Sequence, residues 1–160
     1  MSDITLTAYT PDDHAWLVAQ HQELYSADEG FDDSFGPLVD EILTDFETQA
    51  DPECEQGWIA RHGTQRLGSI FCVKRDEKTA KLRLFLTLPD ARGTGLGARL
   101  LAQCMTFAKQ KGYEKMTLWT HESHAAACAL YTKTGWSCVS SKPVRSFGVS
   151  LIEQQWEITL

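Results

Sequence analysis

The segment Phe85–Gly97 constrains the fold of this chain more than any other. It reads FLTLPDARGTGLG, which is an apolar run followed by a proline, an arginine-led glycine turn and the start of an amphipathic helix. Such a turn gathers backbone N–H groups and the positive end of a helix dipole around an anion. A side chain at Gly95 or Gly97 would hold a ligand away from this backbone. The segment therefore predicts a strand, a turn and a helix that together bind a ligand containing a diphosphate.

Charge and composition argue against several kinds of protein. The 160 residues carry a formal net charge of −7, which disfavours non-specific nucleic-acid binding and is compatible with a cationic substrate such as an amine. No apolar run approaches the roughly 20 residues that span a bilayer, and the first residues have neither a basic region nor an apolar signal core. The five cysteines include no CxxC pair and predict reduced thiols. We expect one cytoplasmic domain over residues 1–160, without nucleic-acid or membrane partners.

Hydrophobic periodicity predicts both helices and strands. A strand over 4–9 is followed by a helix that begins near Thr10 and runs to about Tyr25 or Ser26, and a second helix begins near Pro37. The acidic stretch 28–33 between these helices predicts a loop. Three strands over 58–60, 67–73 and 80–86, joined by short turns, predict an antiparallel meander. The remaining predicted elements are helices over 95–111 and 124–134 and strands over 116–120, 136–139 and 155–160.

Several kinds of site are compatible with a glycine turn. Residues 93–98, GTGLGA, satisfy the dinucleotide pattern G-x-G-x-x-A. A Rossmann site, however, has a glycine directly after its first strand and alternating strands and helices around it. Here a meander precedes the turn, and the four residues 89–92 separate the strand from the glycines. A P-loop is excluded because no G-K-[ST] follows, and a glycine turn that only starts a helix is the structural alternative.

Two motifs resemble one known superfamily. Residues 92–97, RGTGLG, match [QR]-x-x-G-x-G, the acetyl-CoA signature of the GNAT N-acetyltransferases, and residues 127–136, ACALYTKTGW, are similar to their A-x-x-L-Y-x-K-x-G-[FW] segment. The resemblance implies an α/β (α+β) GNAT fold. Its central sheet would be mixed and mostly antiparallel, with six to seven strands splayed between strands 4 and 5 and about four flanking helices. Segments 82–86, 118–121 and 146–157 also resemble the acetyltransferase module fused behind MarR-type DNA-binding domains.

The resemblance implies acetyl-CoA as co-substrate and no metal. The backbone of Phe85, Leu86 and Thr87 would pair with the pantetheine arm as an added strand does. The residues expected to hold the pyrophosphate are Arg92, Gly93, Thr94, Gly95, Leu96, Gly97 and Ala98. His124 stands where the superfamily has asparagine and would contact the cofactor arm, with helix capping or a role as base as alternatives. Lys133 would approach the CoA phosphates, although a solvated surface role is open for it and for Arg92.

The implied reaction is direct attack of a primary amine of a small molecule on the thioester. The amine attacks only in its neutral form, because an ammonium group, with a pKa of about 10.4, has no lone pair. Tyr131 matches the superfamily position that protonates the leaving thiolate, and a core tyrosine is the alternative. Glu122 is the predicted general base, with Glu23 or a water chain as alternatives.

The acceptor site is expected between the loop that joins the first two helices and the hairpin before the last strand. Its predicted residues are Tyr25, Glu29, Phe31 and Phe147. Aromatic and acidic side chains together suit an amine with an apolar body. Two other functions stay open: a non-catalytic acyl-CoA-binding sensor or regulatory module, and an acetyltransferase of protein or peptide amines. Self-association into a homodimer is a further expectation.

Overall fold

The computed structural model describes residues 3–160. Residues 1 and 2, part of the segment inspected above for a signal, lie outside the described residues. The α-helices within this range are α1 (His14–Glu29), α2 (Phe35–Gln49), α3 (Leu96–Gln110) and α4 (Ala125–Lys133). The strands are β1 (Ile4–Ala8), β2 (Gln56–His62), β3 (Gln65–Lys74), β4 (Thr79–Thr87), β5 (Lys115–His121), β6 (Ser137–Ser146) and β7 (Val149–Thr159). They form one mixed sheet in the order β1-β2-β3-β4-β5-β7-β6, which confirms the predicted fold class.

The chain folds into two compact units, each built from separate stretches of sequence. Unit 1 comprises the described residues up to Thr10 together with Ala50–Met116 and Thr159–Leu160. Unit 2 comprises Pro11–Gln49 and Thr117–Ile158. The single domain over 1–160 and the splay between strands 4 and 5 stay predictions.

Unit 1 is an antiparallel meander covered by one helix. Strands β1 to β4 pair in sequence order. The short turns between β2, β3 and β4 predicted the pairing of these three strands, whereas α1 and α2 separate β1 from β2 along the chain. Helix α3 packs on β3 and β4. Its buried residues follow the helical period and are Leu96, Leu100, Leu101, Cys104, Phe107 and Ala108. The helix ends where the N–H of Lys111 donates to the Phe107 carbonyl at 3.0 Å, at the end of the range predicted for it, 95–111.

Unit 2 joins a helix pair to the second half of the chain. Helices α1 and α2 pack together and bury Leu17 and Val39 among other residues. The Thr117 hydroxyl donates to the Trp156 carbonyl at 3.2 Å, which links β5 to β7. Strands β6 and β7 form an antiparallel hairpin closed by the two residues 147 and 148. Most side chains of β6 are exposed, which is typical of an edge strand.

Several predicted boundaries are wrong. Helix α1 continues to Glu29, because the N–H of Gly30 closes the last turn on the Ser26 carbonyl at 3.1 Å, so the acidic stretch begins inside a helix and not in a loop. Strand β6 continues past Pro143 to Ser146. An edge strand tolerates proline because one side of its backbone has no ladder partner to lose. Within residues 3–160 no helix is long and apolar enough to cross a membrane.

Candidate active site

The glycine turn of unit 1 ends at the N-terminus of α3, where Thr94 Oγ1 accepts from the Leu96 N–H at 3.3 Å and the N-cap residue, Gly95, has no side chain to accept from the other N–H groups. Gly95 is the N-cap of α3 with φ of 80°, and Gly93 has φ of 77°, a left-handed conformation that favours glycine. Within the described residues, four backbone N–H groups here have no acceptor: those of Gly93, Gly95, Gly97 and Ala98. A Cβ on Gly93 or Gly95 would meet no protein atom within 4 Å. The turn therefore offers open space, free donors and a positive dipole end, and a pyrophosphate fits it.

Strand β4 carries a bulge directly before the residues predicted to bind the pantetheine arm. Its register with β3 shifts between Ser69 and Phe71, and Leu84 takes a φ of 49°, which is uncommon for a residue other than glycine. The Ser69 hydroxyl donates to the Leu84 carbonyl at 2.7 Å. On β3, a Cβ at Gly68 would lie 2.5 Å from the Leu86 oxygen, so only glycine allows this approach. The bulge bends the backbone out of the regular ladder just before Phe85.

Tyr131 of unit 2 is enclosed by two tryptophans. Its ring centroid lies 5.7 Å from that of Trp136 and 5.8 Å from that of Trp156. The side chain is 3% exposed, so bulk water is excluded from most of it. These contacts fix the ring near the C-terminal end of α4. The role of its hydroxyl stays a prediction.

The predicted acceptor-site residues come together in unit 2. The Phe31 ring lies 5.4 Å from that of Tyr25 and 4.8 Å from that of Phe147. Phe35, which the sequence analysis did not select, lies within 5.0 Å of all three rings. The backbone N–H of Asp32 donates to the Phe147 carbonyl at 2.9 Å. The end of α1, the loop after it, the start of α2 and the β6–β7 turn thus contribute to one packed aromatic cluster, and its role as an acceptor site stays a prediction.

Glu29 and His124 form a largely buried pair beside this cluster. His124 Nε2 lies 3.1 Å from Glu29 Oε1, and the two side chains are 18% and 10% exposed. His124 Nδ1 lies 3.4 Å from the Thr120 hydroxyl oxygen, and the Tyr25 ring packs at 4.9 Å. Burial lowers the pKa of His124, and the neighbouring His121 lowers it further. The Glu29 carboxylate raises this pKa, but the net pKa is below the ordinary histidine value. The imidazole is therefore neutral at pH 7 and able to accept a proton.

A comparison with known protein families assigns the chain to one of them. The sequence profile described as the acetyltransferase (GNAT) family matches residues 14–136, well over half of the chain. This chain belongs to the acetyltransferase (GNAT) family. The match spans β4, the glycine turn and α4, and it ends before β6 and β7.

The chain is also similar to individual curated proteins and solved structures. A mycothiol acetyltransferase of Salinispora tropica is 29% identical over 158 residues, which cover 84% of this chain and 45% of that protein. The chain thus spans less than half the length of that relative. An acetyltransferase structure from Streptococcus agalactiae is 22% identical and covers 100% of both chains with a TM-score of 0.78. A GNAT structure from Elizabethkingia anophelis with acetyl-CoA bound is 19% identical, with a TM-score of 0.70 and 100% coverage of both chains. The finer resemblance to MarR-fused modules stays a prediction.

The remaining predicted GNAT residues lie at exposed positions. Arg92 is exposed in the turn before α3, and Lys133 is exposed at the last position of α4. Glu122 is exposed directly after β5, where its backbone N–H donates to the Ile152 carbonyl at 2.8 Å. Solvent therefore surrounds Glu122, in contrast to the enclosed pair of Glu29 and His124.

Sequence reasoning missed three features of this GNAT chain. Phe35 stands four residues after Phe31 and repeats its aromatic character, which was the available signal. Thr120 carries no motif, and its approach to His124 depends on the turn after β5. The bulge at Leu84 leaves no trace in the sequence, because Leu82–Leu86 has the apolar composition of a regular strand.

Proposed function

We propose that this chain is an acetyl-CoA-dependent N-acetyltransferase that transfers an acetyl group to a primary amine of a small molecule. The observation that carries the proposal is the glycine-lined N-terminus of α3, with its four N–H groups that lack acceptors among the described residues. Membership of the GNAT family supports the acetyl transfer. The acetyl-CoA present in the Elizabethkingia anophelis structure supports the choice of donor.

The residues of unit 1 would hold the donor. The turn over 92–98 would bind the pyrophosphate through its backbone, with the Arg92 side chain adding positive charge. The backbone of Phe85–Thr87, after the bulge, would bind the pantetheine arm as a strand edge binds a peptide. Lys133 of unit 2 is proposed as a further phosphate contact. Acetyl-CoA supplies an acetyl group that is activated as a thioester.

The reaction requires two proton transfers, one to the leaving thiolate and one from the attacking nitrogen. The neutral amine nitrogen attacks the thioester carbonyl, a C–N bond forms and the C–S bond breaks. Tyr131 is proposed as the acid that gives its hydroxyl proton to the leaving thiolate. Its enclosure by Trp136 and Trp156 supports this role, because a proton donor contributes most when it is held in one orientation. A proton must also leave the attacking nitrogen, and Glu122 was the base predicted for that step.

The acceptor is proposed to be a small molecule with an apolar body. The name of the relative, mycothiol acetyltransferase, refers to a small molecule, which supports this class of acceptor. The aromatic cluster of Tyr25, Phe31, Phe35 and Phe147, with Glu29 beside it, supports an apolar amine. We also propose that the chain forms a homodimer, and a sedimentation measurement of its mass in solution tests this.

The test is release of free CoA from acetyl-CoA across a broad panel of amines. We expect turnover with at least one small amine and a fall in kcat of about 100-fold in Tyr131→Phe. Tyr113→Phe is the matched control, because the Tyr113 hydroxyl donates to the Cys54 carbonyl at 2.9 Å and has a structural role. We also expect acetyl-CoA, but not NAD or NADP, to raise Tm.

Each alternative predicts a different result. Stabilisation by acetyl-CoA without turnover on any amine would support a sensor module. Turnover on peptide amines alone would support a protein acetyltransferase. Stabilisation by NAD and not by acetyl-CoA would overturn the proposal.

A further inference from the structure

We propose that His124 is the general base of the transfer and that Glu29 is the residue that positions it. This inference rests on the proposed function, and it assigns the proton-accepting step to the enclosed pair in unit 2 in place of the exposed Glu122. It is drawn from the contacts of His124 in the structure.

The first support is the tautomer that the contacts impose. Glu29 Oε1, 3.1 Å from His124 Nε2, accepts only if Nε2 carries the hydrogen. The lone pair of the neutral ring is then on Nδ1. The partner of Nδ1 is the Thr120 hydroxyl at 3.4 Å, at the long end of the hydrogen-bond range. Nδ1 is therefore a weakly engaged base, held in place by a carboxylate on the opposite side of the ring.

The second support is burial. The Glu29 carboxylate is 10% exposed, and a carboxylate in such surroundings needs a hydrogen-bond donor to offset its lost hydration. His124 supplies that donor while its ring is neutral. When the ring gains a proton at Nδ1, the same contact becomes an ion pair between imidazolium and carboxylate. The pair thus stabilises the protonated state that a base passes through during proton transfer.

The groups that face His124 from each packed element bear on its titration. Glu29, Asp28 and Tyr25 approach it from α1, and His121 and Thr120 approach it from β5. The two carboxylates raise the pKa of His124, while burial, the larger effect, and His121 lower it. His121 has a lowered pKa of its own because of burial, so both rings are neutral at pH 7.

The third support is the position of His124 relative to Tyr131 on a single helix. His124 is the N-cap of α4 and Tyr131 follows seven residues later, close to two full turns. The two residues are therefore about 10 Å apart along the axis of α4. One helix thus holds the proposed acid and the proposed base at a fixed separation along the chain.

The proton balance of the step is complete. The neutral amine attacks, and its nitrogen becomes positively charged and acidic as the C–N bond forms. His124 Nδ1 takes one proton from that nitrogen and passes it to solvent. The thiolate takes the Tyr131 proton as the C–S bond breaks, and Tyr131 recovers a proton from solvent. One proton leaves nitrogen and one reaches sulfur, so no further reactant is required.

The kinetic test uses His124→Gln with the amine and acetyl-CoA that the panel identifies. We expect kcat to fall at least 100-fold, with the KM for acetyl-CoA within twofold of wild type. A rise in that KM with kcat unchanged would instead assign His124 to the cofactor arm and overturn the proposal. His62→Gln, on β2, is the control for loss of a histidine and should leave kcat unchanged.

The pH profile separates a base from a structural residue. We expect the kcat/KM of the wild type to fall on the acid side with an apparent pKa below 6.5, and this limb to be absent in His124→Gln. In Glu29→Gln the limb should move to lower pH, because the carboxylate that raises the pKa of His124 is gone. Loss of the limb in Glu122→Gln, with its retention in His124→Gln, would overturn the proposal in favour of Glu122.

A readout without substrate distinguishes failure of this inference from failure of the proposed function. Histidine ¹⁵N spectra should show His124 protonated at Nε2 when neutral, and its pKa should fall in Glu29→Gln. An unchanged tautomer and pKa in Glu29→Gln would overturn the pairing whatever the activity. If the wild type acetylates no amine, the proposed function fails and the role of His124 as base fails with it.

Discussion

The backbone N–H of Asp32 donates to the carbonyl oxygen of Phe147 at 2.9 Å and joins the loop after α1 to the β6–β7 turn. Phe147 makes this contact with φ of 54°, a left-handed conformation that costs a residue with a Cβ about 1–2 kcal/mol. Its ring contacts with Phe31 and Phe35 offset that cost. Strain is thus retained at the predicted acceptor site, where the turn would otherwise favour a smaller residue.

Among variants that lack the Phe147 ring, we therefore expect an unusual order of stabilities, with glycine more stable than alanine. Phe147→Ala and Phe147→Gly lose the same ring contacts, but only alanine keeps the left-handed penalty. We expect Phe147→Gly to be more stable than Phe147→Ala by about 0.5–1 kcal/mol in urea unfolding, after the greater unfolded-state entropy of glycine is subtracted. The controls are Ser141→Ala and Ser141→Gly on the exposed edge strand β6. There the alanine variant should be more stable than the glycine variant. The same order at both positions would contradict the account of Phe147.

Gly95→Ala tests the pyrophosphate turn against a matched glycine. Gly95 and Gly63 have φ of 80° and 61°, and a Cβ on either would meet no protein atom within 4 Å. Both substitutions should therefore lower the free energy of unfolding by a similar amount, about 1–2 kcal/mol. Only Gly95→Ala should also weaken acetyl-CoA binding, by at least tenfold in calorimetric titration. Equal affinities of the two variants would argue against the turn as the pyrophosphate site.

His14 should make the stability of the α1–α2 pair dependent on pH. Its Nε2 lies 2.6 Å from Asp40 Oδ1 and its Nδ1 lies 2.7 Å from Glu47 Oε2. Burial lowers its pKa, but the hydrogen bonds and charges of the two carboxylates outweigh burial, and the net pKa is above 6.5. A raised pKa in the folded state gives stability that is complete below about pH 6.5 and is lost as pH rises through the folded-state pKa. The loss of stability in His14→Gln should therefore be larger at pH 5.5 than at pH 9 in urea unfolding, and equal losses would contradict the double ion pair.

Substitution by phenylalanine should change the stability of the fold by different amounts at the two tryptophans around Tyr131. Trp136 Nε1 is buried without a hydrogen-bond partner among the described residues, whereas Trp156 Nε1 donates to Gln154 Oε1 at 3.0 Å. Both side chains are less than 10% exposed, so the loss of packing is comparable. We expect Trp136→Phe to destabilise the fold by about 1 kcal/mol less than Trp156→Phe, because only the second breaks a hydrogen bond. Thermal unfolding of both variants measures the difference, and the reverse order would contradict it.

Prediction from sequence succeeded where a feature depends on neighbouring residues. The helical spacing of Leu96, Leu100 and Cys104 fixed the buried face of α3, and the short turns fixed the meander. Prediction failed where distant contacts extend or distort an element. Strand β6 pairs with β7 well beyond the four residues that its own pattern indicated, and the Leu84 carbonyl at the bulge accepts from the Ser69 hydroxyl of β3.

The sequence by itself determined the family and the glycine turn, because Arg92–Gly97 and the segment around Tyr131 are local patterns whose backbone requirements can be read residue by residue. Only the tertiary structure decided the partners of the chemically active side chains. Glu29 was expected in a loop as an acceptor-site residue, yet it ends a helix against His124, which lies 95 positions away along the chain. Burial determines the electrostatic interaction between the Glu29 carboxylate and the His124 ring. No local pattern encodes the burial of this pair, because it depends on which distant elements exclude water from the two side chains.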